Sequence, residues 1–488
     1  MKINSDILIN FSAFSFLKEL QAKIPESITA LPWAAAVSNM KDNYNANIAY
    51  GDIYSAFMLG LEDYIEPTKT ENDDLKVFVK EIFLNQNTAL DMSYYFYINA
   101  KENQGNATIS QYLKPEKPIN ATNPSHEGSP WGRWLAMISL NFKPMYVTSL
   151  PSIRKYAYRD KNSQSTEASN NSQSAEVGKD KKPPIEIRMS TPAQRHQGEA
   201  RVSPIFTYWV ERKSSAHLSI NLLGRDRNDF EGRRERALGL AMHKEAKKCE
   251  KWYVVTLPAD KGLMSRDYRK RTQEFSLADA KKEILKIACS DNGKDFHIPD
   301  KVMAMLLSSS QTKVNLFAQL LDQAAALLGL ESNANITAAQ HQALYMVFIR
   351  YSLTNTLIKQ IAPETFNISC KDGIDRGASH SLIYHLFKSI EKEDPITEQE
   401  FEKGLHAAAI LVKGRTMNHH IEGVWNVVDV YLNAQKETPE KLQWLEQWRD
   451  NNLPKFHRAD SFYNTTNLFG SSRSTSRSKI LSVVSAEL

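Results

Sequence analysis

The sequence predicts an α/β fold, with α+β as the alternative. Short strand candidates alternate with helical segments after residue 184, and within 366–390 a strand candidate is joined to a helix by a loop that contains glycine. Of the 488 residues, 42% are hydrophobic and 24% are charged, which is typical of folded protein. This composition excludes a disordered or collagen-like chain.

Residues 1–130 are predicted to form a mainly helical N-terminal region without visible catalytic chemistry. Apolar residues recur at three- and four-residue spacing in 11–24 and 50–65. The aromatic run Tyr94–Ile98 favours a strand, since aromatic residues are enriched in strands. No run approaches 18 apolar residues, and the first residues lack a basic and then apolar leader. We therefore expect neither a transmembrane segment nor ordinary signal-peptide export.

Residues 131–455 are predicted to form the main domain. It contains a polar insert at 159–184, in which Val177 is the only sizeable aliphatic residue. Such a segment has too little apolar surface to offset the entropy of ordering, so we expect a mobile surface loop or linker. The Ser- and Arg-rich tail at 456–488 is predicted to be flexible.

Within the main domain, apolar patterning and capping signals predict the order of elements. The predicted strands are 185–189, 205–210, 216–223 and 252–258. The predicted helices are 233–252, 313–329 ending at Gly329, 338–361 ending before Pro363, and one that begins at a Thr397–Glu400 capping box and ends at Gly414.

A cysteine and an arginine stand six residues apart, at Cys370 and Arg376, in the loop between strand and helix. Such a loop points several backbone N–H groups into one concavity, where they and the helix dipole bind phosphate. The same field favours the thiolate form of a cysteine. An arginine can hold two phosphate oxygens at once, which a lysine does less well. The pattern indicates Cys370 as a nucleophile and Arg376 as a phosphate ligand.

The pattern is specific only together with its context. Cys-x5-Arg alone arises by chance in about one such chain in seven, and neither Cys249 nor Cys289 fits it. Gly373 at the tight point of the loop and two carboxylates, Asp372 and Asp375, make coincidence roughly a thousandfold less frequent. The alternative is an inert buried cysteine, which the charged loop disfavours.

The run CKDGIDR at 370–376 resembles the active-site loop of cysteine-based phosphoinositide phosphatases, and it shares Cys, Gly, Arg and both Asp with the myotubularin 3-phosphatases. Together with KGRTMNHH at 413–420, the run CKDGIDRG is similar to the SidF and SidP type of phosphoinositide phosphatase that Legionella injects into host cells. The resemblance covers approximately residues 130–450. It implies a cysteine-phosphatase-like sheet with strand, phosphate loop and helix, flanked by mostly helical regions, so that 131–455 is the catalytic domain.

The resemblance implies removal of a phosphate, foremost the 3-phosphate, from phosphatidylinositol phosphates. Cys370 would attack phosphorus to give a cysteinyl-phosphate intermediate. Arg376 and the loop backbone, including Gly373 and Ile374, would bind the phosphate and carry its oxygen charge. No cofactor is implied.

The leaving inositol oxygen needs a proton, which the myotubularin pattern supplies from inside the loop. This favours Asp372 as the acid; Asp375 is either the alternative acid or an acceptor that braces the loop. Lys371 adds a positive charge that would suit a second ring phosphate, or it is a solvated lysine.

Two positions depart from the tyrosine-phosphatase pattern. Ser369 replaces the usual histidine before the cysteine, and Gly377 replaces the serine or threonine after the arginine. The second change removes a hydroxyl that helps the thiolate leave. Either the loop backbone or Ser379 must then compensate, although glycine here agrees with the effector family.

Positive charge is concentrated between residues 212 and 271, with sixteen Lys+Arg against eight Asp+Glu, whereas the whole chain has a net charge of +5. Such a stretch could line a substrate groove or lie against an anionic membrane, where each basic residue contributes about 1 kcal/mol. We select Arg225, Arg227 and Lys261 as groove candidates. The family likeness adds Lys413 and Arg415 as phosphate contacts, although cations are favoured at a helix end in any case.

Other classes receive less support. No zinc-finger, RNP-type or helix-turn-helix pattern indicates nucleic acid. His419 and His420 lack partners at ligand spacing, so no metal site is predicted. Three cysteines, an odd number, cannot form a disulfide framework and fit a reducing compartment.

We therefore expect an enzyme that acts on phosphoinositide headgroups at an anionic membrane surface, delivered to the host cell cytosol by a bacterial secretion system and peripheral on host membranes. One alternative is a protein tyrosine or dual-specificity phosphatase, which the two in-loop carboxylates disfavour because such enzymes bring their acid from a separate loop. The other is a phosphoinositide-binding module without catalysis.

Overall fold

The computed structural model describes residues 2–3, 5–41, 50–66, 72–86, 88–102, 113–114, 152–155, 183–224, 230–265, 267–290, 295–308, 310–417, 420–435 and 437–452. Its strands are β1 (Lys2–Ile3), β2 (Leu113–Lys114), β3 (Ser152–Lys155), β4 (Ile185–Arg188), β5 (Ala193–His196), β6 (Glu199–Val202), β7 (His217–Asn221), β8 (Trp252–Thr256), β9 (Glu274–Ser276), β10 (Asn335–Thr337) and β11 (Thr365–Ser369).

The helices begin near the N-terminus and alternate with the later strands. They are α1 (Ser5–Gln21), α2 (Glu26–Thr29), α3 (Pro32–Ser38), α4 (Tyr50–Ile65), α5 (Asp73–Leu84), α6 (Ala89–Glu102), α7 (Pro204–Glu211), α8 (Phe230–Ala246), α9 (Leu277–Cys289), α10 (Asp300–Leu306), α11 (Lys313–Leu327), α12 (Ala338–Val347), α13 (Thr354–Ile361), α14 (Arg376–Glu391), α15 (Glu398–Lys413), α16 (Ile421–Asn433) and α17 (Gln443–Asn452). A π-helical turn, Phe348–Leu353, joins α12 to α13.

Five strands form the central sheet, in the order β3-β4-β11-β7-β8. The last four are mutually parallel, and β3 is antiparallel to β4 at the edge. The carboxyl ends of parallel strands share one edge of a sheet, where ligands bind in open α/β folds. Main-chain hydrogen bonds of 2.9 Å from Leu222 to Ser369 and from Thr191 to Cys370 join the segments at this edge. The predicted α/β class is confirmed at this level.

The two faces of β7 and β11 carry different side chains. One face is apolar and packs on the helices that follow β9; it comprises Leu218, Ile220, Phe366 and Ile368. The opposite face carries a fully buried set that we call the polar row: His217, Ser219, Asn221, Thr365, Asn367 and Ser369.

The polar row is stabilised by hydrogen bonds between its own members. The two ring nitrogens of His217 lie 2.9 Å from Thr365 Oγ1 and 2.9 Å from Asn367 Oδ1. Ser219 Oγ donates to Asn367 Oδ1 at 2.8 Å. Burial lowers the pKa of His217 to about 3, so this histidine is neutral at physiological pH.

The N-terminal helices share a hydrophobic core with Ile187 of β4 and with α15. At this contact the Tyr94 hydroxyl donates to Glu402 Oε2 at 2.8 Å. The boundaries predicted at residues 130 and 455, most of the insert at 159–184 and the tail at 456–488 lie outside the described residues. The division into domains therefore stays a prediction.

Two strand predictions are wrong. Residues 94–98 lie in α6, where Ala89 and Ser93, four residues apart, are buried while Tyr95 is exposed, as on one face of a helix. Residues 205–210 lie in α7, which begins at Pro204, a residue favoured at the first helical position. In both segments, helical burial of large aromatic side chains outweighs their average preference for strands.

The other element predictions within the described residues are confirmed. The segment 338–361 is helical throughout, with the π-helical turn in its middle. Thr397 and Glu400 form the capping box of α15, and Gly414 ends that helix at a φ of +61°. Within the part of the chain that the structure describes, no helix has the length and apolarity needed to cross a membrane.

Candidate functional site

The loop at 370–376 lies at the carboxyl edge of the sheet. β11 ends at Ser369 and α14 begins at Arg376, as the sequence predicts. Gly373 has a φ of +70°, and a Cβ atom there would lie 2.7 Å from the carbonyl oxygen of Met189. Only glycine therefore fits without a shift of backbone. Cys370 is buried, with 4% of its surface exposed.

Arg188, the last residue of β4, braces the loop. Its Nη2 donates to the carbonyl oxygen of Gly373 at 2.8 Å, and its Nη1 lies 3.4 Å from Glu186 Oε1. The other oxygen of Glu186 accepts from Ser381 at 2.9 Å and lies 2.7 Å from His385 Nε2. This buried network joins β4 to α14 and so fixes both ends of the loop.

Arg376 is held by a buried carboxylate on α8. Its Nη2 lies 2.5 Å from Glu235 Oε1 and its Nη1 lies 3.1 Å from Glu235 Oε2, and Nη1 also donates to the carbonyl oxygen of Leu222 at 3.2 Å. Glu235 has no exposed surface and also accepts from the backbone N–H of Gly224. Two parallel hydrogen bonds fix the plane of the guanidinium.

The surroundings of Arg376 keep it charged. Burial by itself would lower the pKa of Arg376, but the charge and hydrogen bonds of Glu235 raise that pKa well above its usual value. The neighbouring side chains of Cys370 and Asp260 raise the pKa of Arg376 further. Cys370 and Arg376 therefore lie close enough to interact electrostatically.

Sequence reasoning missed Glu235. The signal was present, because it is the only acid within the basic run Arg233–Arg236 and lies on the inner side of α8, near Leu238 and Met242. A carboxylate among arginines is typical of a charged, solvated surface. Its full burial instead makes it the partner of Arg376.

Asp260 is a second carboxylate that sequence reasoning missed. It lies on the segment after β8, and its Oδ2 is 3.6 Å from Arg376 Nη1. A quarter of its side chain is exposed, so solvent or substrate can reach it. The predicted groove residue Lys261 is its neighbour and is exposed. Arg225 and Arg227 lie outside the described residues.

Asp375 is paired with Arg415. The two nitrogens Nη1 and Nη2 of Arg415 lie 3.3 Å and 3.1 Å from the two oxygens of Asp375. Lys413 ends α15, and Gly414 turns the chain so that Arg415 reaches the loop. This geometry agrees with the loop-bracing alternative for Asp375. The phosphate contacts expected for Lys413 and Arg415 stay predictions.

The remaining loop side chains differ in exposure. Lys371 and Ile374 are buried, at 5% and 4% exposure. Asp372 is partly exposed and lines a small hollow of about 20 Å³ with Arg188 of β4 and Leu411 of α15. Asp372 and Asp260 therefore line different cavities.

Steric crowding explains why glycine follows Arg376. A Cβ atom at Gly377 would lie 3.0 Å from the carbonyl oxygen of Ile368, tighter than an ordinary contact. The nearest hydroxyl in the first turn of α14 is that of Ser379, which accepts a hydrogen bond from Arg350 Nη1 at 2.5 Å. The compensating role expected of the loop backbone or of Ser379 stays a prediction.

A pocket of about 180 Å³ adjoins this loop, and we call it the Arg350 pocket. Its lining residues are Asp260, Met264, Ser265, Arg269, Gln342, Met346, Arg350, His420, Glu422 and Gly423. Asp260 joins the pocket to Arg376, and Arg350 joins it to Ser379. The pocket and the loop therefore share one region of the molecule.

Comparison of this chain with protein-family models, with curated proteins and with solved structures finds no match.

Proposed function

We propose that the protein is a cysteine-based phosphatase that acts on phosphoinositide headgroups. The observation that carries this proposal is the arrangement of Cys370 and Arg376. They lie at the two ends of a loop between a buried parallel strand and a helix N-terminus, and Glu235 holds the guanidinium by two hydrogen bonds. Preorganised arginines that clamp the oxygens of a transferring phosphoryl group are typical of phosphoryl-transfer sites.

In the proposed reaction, the Cys370 thiolate attacks phosphorus opposite the leaving inositol oxygen. The Sγ–P bond forms as the P–O bond breaks, and the leaving oxygen takes a proton from an acid. Water then attacks the cysteinyl phosphate and loses a proton to the same carboxylate, which releases inorganic phosphate and the thiolate. Arg376 carries the charge of the phosphate oxygens in both steps.

Three carboxylates compete for the role of acid: Asp372, Asp375 and Asp260. Both oxygens of Asp375 are engaged by the guanidinium of Arg415, a contact that braces the loop. Asp372 lines the small hollow on the α15 side. Asp260 combines proximity to Arg376 with a position in the adjoining pocket. We therefore propose Asp260 as the acid, in place of the in-loop Asp372 that the family resemblance favours.

The ring position rests on the resemblance alone. The Cys, Gly, Arg and both Asp that the loop shares with the myotubularin pattern favour the 3-phosphate. Delivery to a host cell and a peripheral position on its membranes likewise stay proposals that rest on the resemblance.

The test is phosphate release from vesicles that each contain one of the seven phosphoinositides. Wild type should release phosphate from the 3-phosphorylated lipids, and Cys370→Ser should reduce the rate by about 10⁴-fold or more, since it removes the nucleophile. The Cys370→Ser protein should still bind the vesicles. Retention by both proteins with release by neither would instead establish a binding module.

One observation favours a protein phosphatase as the second candidate. Asp260 comes from a loop separate from 370–376, which is the arrangement expected of tyrosine and dual-specificity enzymes. Phosphotyrosyl and phosphoseryl peptides therefore belong in the same assay. A peptide rate that exceeds every lipid rate would replace the phosphoinositide proposal and leave the role of Cys370 unchanged.

A further inference from the structure

The connection between β8 and β9 carries Asp260, and we call its residues 257–271 the acid segment. It contains the 3₁₀ turns Gly262–Met264 and Tyr268–Lys270. Connecting segments are usually the more mobile parts of a domain, and loops that carry catalytic groups often close over a substrate. The acid segment is instead attached at both turns to the helices behind it.

Gln342 of α12 holds the first turn by its backbone. This side chain is 2% exposed, and its Nε2 donates to the carbonyl oxygens of Leu263 and Ser265, at 2.8 Å in each case. Asn426 of α16 donates to Gln342 Oε1 at 3.4 Å and to the carbonyl oxygen of Ala339 at 2.9 Å, which orients the Gln342 amide. Both N–H groups of that amide are therefore used to hold the acid segment.

Arg269 attaches the second turn to the N-terminus of α16. It is 1% exposed, and its Nη2 lies 2.6 Å from Glu422 Oε2 while its Nη1 donates to the carbonyl oxygen of Glu422 at 2.6 Å. Beside it, the Tyr268 hydroxyl lies 2.9 Å from His341 Nδ1. Burial lowers the pKa of His341 to about 4, so the ring stays neutral at physiological pH. Both turns are thus held by buried side chains.

The exposed part of the acid segment is short. Ala259 and Leu263 are buried in the hydrophobic core. Between them, a quarter of the Asp260 side chain is exposed, and the two residues that follow it are exposed as well. Because one residue spans at most about 3.6 Å, a stretch as short as 260–262 with both ends buried leaves Asp260 little freedom to move away from Arg376.

We propose that Gln342 and Arg269 are positioning residues for the acid. By holding the acid segment against α12 and α16, they keep the Asp260 carboxylate 3.6 Å from Arg376 without a closing movement. The proposal rests on the proposed phosphatase function, in which Asp260 gives a proton to the leaving oxygen. Gln342, Arg269 and Asp260 also line one pocket, so a shift of the segment moves the acid relative to a substrate in that pocket.

The test compares two substrates whose leaving groups differ in their need for a proton. Gln342→Met keeps a side chain of similar length and removes both donors. Its kcat on vesicles that contain phosphatidylinositol 3-phosphate should fall about tenfold or more at unchanged KM, since a misplacement of about 1 Å can cost about a hundredfold. Its rate on p-nitrophenyl phosphate should change far less, because that leaving group needs no proton.

A double-mutant cycle separates positioning from a merely structural role. If Gln342 acts through Asp260, adding Gln342→Met to Asp260→Asn should cause no further loss of the lipid rate. A structural residue would instead add its full effect to that of Asp260→Asn.

Two further variants keep the comparison decisive. Gln194 is as buried as Gln342, but its Nε2 donates to Glu62 of α4. Gln194→Met is therefore the matched control, and it should leave the ratio of lipid rate to aryl phosphate rate unchanged. Arg269→Lys retains a charge beside Glu422 without the fork of two donors. It should lower that ratio, which covers the case in which Gln342→Met does not fold.

Hydrogen exchange gives a readout that does not depend on turnover. The backbone N–H groups of Met264 and Ser265 bond within the first turn, at 3.0 Å in each case. Both groups should exchange faster in Gln342→Met than in wild type, because local opening of the segment becomes easier.

The possible failures of the two proposals differ. Equal losses on both substrates, a full additional loss in the Asp260→Asn background, or unchanged hydrogen exchange in Gln342→Met would overturn the positioning role and leave the phosphatase function standing. If wild type released no phosphate from lipids, phosphopeptides or p-nitrophenyl phosphate, the phosphatase function would be wrong, and the positioning role would fall with it.

Discussion

The loop at 370–376 and the adjoining Arg350 pocket differ in how their charges are balanced. Around the loop, three arginines each have a carboxylate: Arg376 in the loop has Glu235, Arg188 of β4 has Glu186, and Arg415 after α15 has Asp375. In the pocket, Arg350 is as deeply buried as Arg188, but among the described residues its side chain bonds only to a serine hydroxyl and a thioether sulfur. Paired charges fix the geometry of the side chains around the loop, whereas the charge of Arg350 is not fixed by a carboxylate among the described residues.

Removing the charge of Glu235 should have the largest effect, because it breaks the ion pair that holds Arg376. Glu235→Gln keeps the shape of the side chain but leaves Arg376 buried without its counter-charge, which costs about 3–5 kcal/mol of folding free energy. The free energy of unfolding measured in urea and the rate of phosphate release should both fall. A variant with wild-type stability and activity would show that the Arg376–Glu235 pair does not organise the loop.

Asp260→Asn tests the role of the carboxylate that lies between the loop and the Arg350 pocket. If Asp260 is the acid, phosphate release from lipids should fall by about 10²-fold, or about 2.7 kcal/mol in the barrier. An aryl phosphate such as p-nitrophenyl phosphate, whose leaving group needs no proton, should be affected far less. Asp372→Asn is the matched variant inside the loop, and a larger leaving-group-dependent loss in that variant would return the acid role to Asp372.

The polar row beneath the loop supplies a pH-dependent prediction. His217 has a pKa of about 3 in the folded protein, against about 6.5 when unfolded. The unfolded chain therefore binds more protons below pH 6.5, and stability falls as pH falls. Between pH 7 and pH 5 this one residue should cost about 2 kcal/mol. His217→Gln, compared by urea unfolding at both pH values, should show a smaller loss on acidification than wild type.

Arg350→Met should have the smallest effect on stability. Because the arginine has no acidic partner in the described residues, an apolar side chain of similar length should keep the unfolding free energy of the ligand-free protein within about 1 kcal/mol of wild type, or raise it. A thermal-shift comparison measures this. A loss as large as that of Glu235→Gln would mean that Arg350 is a structural residue.

Sequence reasoning located the loop because its residues are contiguous. Cys370, Gly373 and Arg376 lie within seven positions between a strand and a helix, so local pattern and chemistry coincide. Glu235, Asp260 and Arg350 lie on α8, after β8 and in a π-helical turn. Only the order of strands in the sheet and the packing of helices bring them to one place. A polar residue in an amphipathic segment gives no local sign of which distant group it will meet.

The two strand errors have a related cause. Aromatic-rich segments satisfy both strand preference and helical burial, and the choice depends on which neighbours cover them. The helix at 94–98 is covered by α15, where the Tyr94 hydroxyl bonds to Glu402. Since that partner lies more than 300 positions later in the chain, the segment alone could not predict it.

The alternation of apolar and polar side chains along β11 specifies the position of Cys370. Phe366 and Ile368 face the apolar core while Thr365, Asn367 and Ser369 face the polar row. A slip of one residue against β7 would exchange the two sets of side chains and shift the strand end by about 3.3 Å. Neither apolar groups among hydrogen-bonding partners nor amides in a hydrocarbon core would be tolerated. The hydrogen bonds of the polar row therefore fix the register of β11 and, with it, the position of the Cys370 thiol. A mispaired strand would be unstable, so the position of the thiol is set by folding and not by a ligand.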